Sequence, residues 1–134
     1  YNSSKGFDIK NNPNVCMSFF WSQDERQIII KGSASKVPNA VSDKYFDSRP
    51  LESRLGAMVS DQSNIISDRK ILDSNLKKLK EKYKVTDPKR PKYWGGYLII
   101  PNSFEFWQGR PNRLHDRILY TQENNYWIKS RLSP

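Results

Sequence analysis

The chain has 134 residues, 36% hydrophobic and 13% aromatic, and its 23 Lys and Arg against 14 Asp and Glu give a net charge of +9. That length suits one domain with one modest core, partly built from large rings, and the composition excludes a disordered chain. The single cysteine, Cys16, excludes an intrachain disulfide and fits a reducing compartment; no apolar run approaches membrane-spanning length, and no signal-peptide pattern is visible.

The first residue is Tyr1 rather than Met, which leaves open processing or a piece of a longer protein. Asn2-Ser3-Ser4-Lys5-Gly6 precedes an expected short helix over residues 7–11. Hydroxyls, backbone N–H groups and a lysine at a helix start make either a phosphate seat or a plain N-cap. Asn12-Pro13-Asn14 is a turn, and residues 15–21 (VCMSFFW) form an expected strand, apolar enough for burial on both faces. After a polar turn at 22–25, residues 26–36 form the second strand of a hairpin. Gln27 enters this β-branched run and either faces solvent or offers its amide to a ligand ring.

A helix is expected over 40–48, with Val41, Tyr45 and Ser48 on one face, and Arg49-Pro50 ends it because a residue before proline avoids helical geometry. A second short helix follows at 51–59. Tyr45, Arg49 and Ser53 are spaced by four, but the bend at Pro50 leaves an ordinary surface triplet the favoured reading from spacing alone. Beyond a polar loop at 60–64, Ser67 is the expected N-cap of a helix over 68–83, with Ile66 and Ile71 as its hydrophobic staple. Its apolar stripe is Ile71, Leu72, Leu76, Leu79 and Tyr83, and its lysines form a solvated face. Residues 85–92 are a proline-containing connection; Tyr93-Trp94-Gly95-Gly96 leads into a strand at 97–100, and Pro101-Asn102-Ser103 turns the chain.

Residues 104–117, FEFWQGRPNRLHDR, carry three arginines, one of four tryptophans and the only histidine of the chain. Phe104 and Phe106 alternate with Glu105 and Trp107 across a strand, which Gly109 and Pro111 end. Arg110, Arg113, His115 and Arg117 then follow within eight positions and would repel one another unless anions lay between them. A basic solvated loop is the plain reading; an aromatic, an imidazole and guanidinium forks together suit a planar phosphorylated ligand better. Strands at 117–121 and 126–132 flank Gln122-Glu123-Asn124-Asn125, a hairpin signal. At least five strands with inserted helices, mostly joined as hairpins, point to an antiparallel sheet or small barrel. One Cys and one His do not make a metal site, and neither a nucleophile elbow, a Walker loop nor a dinucleotide fingerprint is present.

WGGYLIIPNSFEFWQGRPNRLHDR with a terminal RLSP resembles the end of pyridoxine/pyridoxamine 5'-phosphate oxidases. NPN before VCMSFFW, RQIIIKG, YFDSRP and GAMVSDQSNII match the same family in the same order, so the likeness runs from about Asn2 to Pro134. The resemblance implies a mainly β fold with inserted helices, the FMN-binding split barrel, as a single domain over 1–134 that includes the family's dimerisation region at about 93–134. It implies a homodimer with flavin mononucleotide (FMN) at the interface. The implied reaction oxidises pyridoxine 5'-phosphate or pyridoxamine 5'-phosphate to pyridoxal 5'-phosphate, with O2 as acceptor and release of H2O2. By motif, Lys5, Gln27, Gln62, Ser63, Trp107 and Arg117 are the implied FMN contacts. Tyr45, Arg49 and Ser53 are the implied seat of the substrate phosphate. Arg113, Leu114 and His115 are implied at the substrate, with Arg113 and His115 holding its pyridine ring over the flavin. No metal, membrane or nucleic-acid partner is implied, and the expected compartment is the cytoplasm, with the mitochondrion open.

The chain departs from the family pattern at Ser4, Ile29 and Leu51-Glu52, where Arg, Arg and Arg-Gly are usual. Each missing guanidinium removes a charge-assisted bond of about 1.5–3 kcal/mol, so weaker FMN binding is expected. Family members also carry earlier strands that contact both phosphates, and the chain begins after them, so a fragment, processed product or partial gene model is expected. Two other readings stand behind the oxidase: a non-catalytic binder of FMN or pyridoxal phosphate, and, from charge alone, a nucleic-acid-binding domain.

Overall fold

The computed structural model describes residues 1–134, which form two compact units: residues 1–11 with 36–98, and residues 12–35 with 99–134.

The first unit is helical. Helix α1 (Ser4–Asn11) begins earlier than the expected 7–11 because Ser3 caps it. The buried Ser3 Oγ accepts the Gly6 N–H at 3.2 Å, so this hydroxyl serves the helix rather than a phosphate. Helix α2 (Asn39–Ser48) follows Pro38 and stops at Arg49, whose extended backbone (φ −81°, ψ 148°) is the geometry a following proline demands. Helix α3 (Leu51–Val59) restarts after Pro50. The core of this unit is Phe46 from α2, Leu55 from α3 and Pro88, all fully buried. Val41 and Tyr45 do share a face of α2, but it is the exposed one; Ser42 and Phe46 face inward.

Helix α4 (Lys70–Lys82) starts later than expected. Asp68 rather than Ser67 satisfies its first turn, its Oδ1 accepting the Lys70 N–H at 2.8 Å. Ile66 and Ile71 stay exposed, so the expected staple buries little. Leu72, Leu76, Leu79 and Tyr83 make a half-buried stripe, and Lys80 reaches Glu52 of α3 at 2.7 Å. Farther along, the buried Arg90 side chain ties the proline-rich connection to α2. It donates to Asp43 at 2.6 Å, to Asn39 at 3.1 Å and to the Trp94 carbonyl.

The second unit is a five-stranded sheet in the order β1-β2-β3-β4-β5. Its strands are β1 (Asn14–Trp21), β2 (Arg26–Lys36), β3 (Tyr97–Gln108), β4 (Asp116–Glu123) and β5 (Tyr126–Leu132). The pairs β1/β2, β3/β4 and β4/β5 are antiparallel. Two expectations change here. Strand β1 is not buried on both faces: it is an edge strand, and Phe19, Phe20 and Trp21 are 42%, 60% and 47% exposed. Pro101-Asn102-Ser103 is not a turn: β3 runs through it unbroken. Pro101 is tolerated because the β3/β4 ladder begins only at Ser103, so its missing N–H costs that pairing nothing. Opposite this point the buried Gly32 lets two backbones touch; a Cβ there would meet the Ile100 carbonyl oxygen and the Pro101 Cα.

Strand β4 extends closer to the turn than the expected 117–121, whereas β5 has the expected bounds. Only Asn124 and Asn125 lie between them, with φ 48° and 68°. Two positive φ values in a two-residue loop are the type I′ geometry that matches strand twist, and Asn tolerates it. Phe104 stacks on Phe106 and packs on Trp127, and Phe106 meets Tyr120 edge-on, lining one side of the sheet with rings.

Candidate functional site

In the second unit the expected site residues gather where β3 ends and β4 begins. Trp107 and Arg117 are partners in the β3/β4 register. Arg117 donates through Nε to Glu105 at 2.7 Å and through Nη1 to the Ser133 carbonyl at 3.1 Å. The hydrogen bond to Glu105 pushes the Arg117 pKa upward, so its charge is permanent. Gln27 on β2 gives its amide N–H to Ser18 at 3.0 Å, which keeps its carbonyl oxygen available as an acceptor.

Between the strands the loop is held at both ends. Gln108 accepts from Arg26 Nε at 2.8 Å and donates to the Asp24 carbonyl at 3.1 Å; the Gly109 N–H donates to the Glu25 carbonyl at 2.7 Å. Residues 111–113 form one 3₁₀ turn, and Asn112 and Arg113 adopt φ 59° and 62°. Left-handed backbone costs an ordinary residue roughly 1–2 kcal/mol, so Arg113 occupies a strained position. Its side chain and that of Leu114 are exposed. The His115 ring lies 4.9 Å from the Trp107 ring, tilted by 44°. The Arg110 N–H donates to His115 Nδ1 at 3.1 Å, and the Arg110 side chain reaches Asp116 at 2.8 Å. A cavity of about 490 Å³ in this unit is lined by Trp21, Gln27, Trp107, Gln108 and Asp116 among others.

In the first unit a second group forms around Trp94. Tyr45 stacks on its ring at 6.0 Å and 18°, and Phe46 meets it edge-on at 5.2 Å. The Arg49 guanidinium lies 5.2 Å from the same ring, and its Nη1 is buried without a partner. Tyr45 and Arg49, both before the bend at Pro50, are thus brought together by Trp94, whereas Ser53 lies beyond the bend. Ser53 is half-buried in the first turn of α3. Lys5 on α1 and the loop residues Gln62 and Ser63 are exposed, and Ser63 has φ 75°. An unpartnered buried guanidinium nitrogen is costly unless an anion completes it. The donor set therefore fits a phosphorylated ligand, and the amide, ammonium and indole groups fit a flavin phosphate in kind.

Trp94, Gln108 and Asp116 were absent from the expected set. Trp94 stood in a visible Tyr-Trp-Gly-Gly motif, yet only packing shows that it links Tyr45 and Arg49. Asp116 was legible only as a neighbour of His115.

Residues 1–83 match the family model described as pyridoxamine 5'-phosphate oxidase, and residues 94–134 match the pyridoxine 5'-phosphate oxidase C-terminal dimerisation region. The chain belongs to the pyridoxamine 5'-phosphate oxidase family. It is 57% identical over 134 residues to the pyridoxine/pyridoxamine 5'-phosphate oxidase of Flavobacterium johnsoniae, covering 99% of this chain and 63% of that protein. It is 52% identical to the enzyme of the same name from Haemophilus influenzae, covering 100% of this chain and 63% of that one. The chain thus spans less than two thirds of the length of these curated relatives.

Among solved structures it is similar to PhzG from Burkholderia lata 383, crystallised with tetrahydrophenazine-1-carboxylic acid. The TM-score is 0.89 at 27% identity, over 99% of this chain and 65% of that one. A pyridoxamine 5'-phosphate oxidase-related, FMN binding protein from Nostoc punctiforme shares the fold, with TM-score 0.68 at 12% identity, over 99% of this chain and 69% of that one. The family's fold class is therefore the expected one, a split barrel of mainly β structure with inserted helices. No helix is long and apolar enough to cross a membrane.

Proposed function

We propose that this chain serves the FMN-dependent oxidation of pyridoxine 5'-phosphate or pyridoxamine 5'-phosphate to pyridoxal 5'-phosphate, with O2 as acceptor and release of H2O2. The proposal includes a homodimer, a single split-barrel domain over 1–134, and a cytoplasmic location. Membership of the oxidase family supports it. The observation that carries it is the buried, unpartnered Nη1 of Arg49 beside Tyr45 and Trp94. Such a nitrogen awaits an anion, and a substrate phosphate supplies one.

In this reading Arg49, Tyr45 and Ser53 bind the substrate phosphate. Arg113, Leu114 and His115 orient the pyridine ring, and Trp107 supports the imidazole. Lys5, Gln62, Ser63 and Arg117 hold the FMN phosphate and ribityl chain, and the Gln27 carbonyl oxygen accepts from a ring N–H. FMN, when bound, would supply the two-electron redox chemistry, with O2 as the final electron acceptor. The protein's part is orientation, charge and exclusion of water. Arg113 is strained in a way that glycine would relieve, which fits a residue kept for ligand contact rather than for stability.

The departures at Ser4 and Ile29 favour one second reading, a protein that binds FMN or pyridoxal phosphate without turnover. The test is anaerobic addition of pyridoxine 5'-phosphate to the FMN-loaded protein, followed by air. Bleaching of the flavin absorbance, then its return with H2O2 and pyridoxal 5'-phosphate, is expected. Ligand binding with no bleaching supports the binder, and neither binding nor bleaching overturns both readings.

A further inference from the structure

We propose that Asp116 is a positioning residue that fixes the tautomer and orientation of His115 by clamping Arg110. The significance of His115 for the reaction rests on the function proposed above; the clamp itself does not.

A backbone N–H can only donate. The 3.1 Å contact from the Arg110 N–H to His115 Nδ1 therefore requires a lone pair on Nδ1. The neutral ring must then carry its proton on Nε2, which makes Nε2 a donor. Within residues 111–114 the Leu114 N–H donates to the Pro111 carbonyl at 3.3 Å, a bond that does not reach the imidazole. That segment holds two left-handed residues, of which Arg113 is strained, and an exposed Leu114, so it gains by relaxing.

The Asp116 carboxylate opposes that relaxation. Its Oδ2 takes Arg110 Nε at 2.8 Å, and its Oδ1 takes Arg131 Nη1 of β5 at 2.6 Å. Arg110 is thus bound twice, by its backbone to His115 and by its side chain to the next residue along. Asp116 is anchored in turn by the β3/β4 ladder, where it pairs with Gln108. The hydrogen bonds from Arg110 and then Arg131 draw the Asp116 pKa below the ordinary carboxylate range, so the clamp is charged at neutral pH. The Trp107 ring at 4.9 Å completes the setting of the imidazole.

The chain has one histidine, so a long-range proton–nitrogen correlation spectrum shows a single imidazole. In the unliganded protein, well above the imidazole range, the wild type is expected to show Nδ1 unprotonated and Nε2 protonated. Asp116→Ala is expected to shift the tautomer ratio by about fivefold towards that of a free imidazole, the worth of about one hydrogen bond. Arg110→Ala keeps the backbone N–H but removes the clamp, so it should reproduce the shift. Asp116→Glu should restore the wild-type pattern in part. Arg110→Ala also serves if Asp116→Ala fails to fold. A wild-type ring protonated on Nδ1, or a pattern unchanged in the folded Arg110→Ala and Asp116→Ala variants, overturns the proposal. If the spectra behave as expected but no oxidation occurs, the clamp stands and the functional reading falls.

Discussion

Arg49 lies across Trp94, its guanidinium carbon 5.2 Å from the ring centroid, with one terminal nitrogen buried and unpaired. A group in that position is a cost to the unliganded fold and an asset to a complex. Inorganic phosphate should therefore raise the thermal midpoint of the wild type, by mass action worth about 2.7 kcal/mol at a hundredfold excess over its dissociation constant. Arg49→Met should lose this response and, without phosphate, be no less stable than the wild type, because an unsatisfied polar atom has gone. Differential scanning calorimetry with and without phosphate checks both halves.

Trp94 gives that guanidinium its surface. Replacing it by Leu removes ring contacts to Tyr45 and Phe46 and should cost about 2–3 kcal/mol for a half-buried tryptophan. The phosphate response should fall with it. Urea unfolding of Trp94→Leu measures the first effect, and its phosphate titration the second.

At Arg113, stability and function should part company. With φ 62° the residue is strained, and glycine adopts that conformation freely. Arg113→Gly is expected to leave the fold as stable as the wild type or up to about 1 kcal/mol more stable. Substrate-driven flavin bleaching should nevertheless drop by at least about tenfold, the worth of one charge-assisted bond. Thermal unfolding and the anaerobic assay on the same sample decide it.

Acid should loosen the loop before 116 in a defined sense. The folded-state pKa of Asp116 is lowered by its bonds to Arg110 and Arg131. The stabilisation is therefore present above the ordinary carboxylate value of about 3.9 and is lost as pH falls through the lower folded value. Asp116→Asn should differ from the wild type in urea midpoint near pH 6 and converge with it at the acid end.

Gly32 is a test of the sheet. A Cβ there would collide with backbone atoms of Ile100 and Pro101, which cannot rotate away. Gly32→Ala should cost about 1–3 kcal/mol, as overpacking does, and hydrogen exchange should quicken around residues 99–102.

The hairpins were legible in the sequence because alternation and the polar stretches at 22–25 and 122–125 act locally. Helix ends were less so: Asp68 displaced Ser67 as the capping side chain, and two such neighbours are alike in pattern. The unbroken β3 was hidden because Pro101 reads as a breaker unless one knows that its nitrogen, which carries no hydrogen, lies outside the β3/β4 ladder. The exposure of Phe19, Phe20 and Trp21 was hidden too, since apolar runs look the same at the edge and the centre of a sheet. At the site, His115 and its arginines stood out by composition. Trp94 and Asp116 did not, because their importance lies in which groups they touch across the fold.

Cys16 is exposed on β1, the border of the sheet, and is the chain's single thiol. A spin label or dye attached there would sit beside backbone groups that β2 does not engage. Any strand docking along that margin, from another copy or from a longer form of the protein, would slow the probe's tumbling. The molecule thus carries a built-in sensor for how its open border is closed.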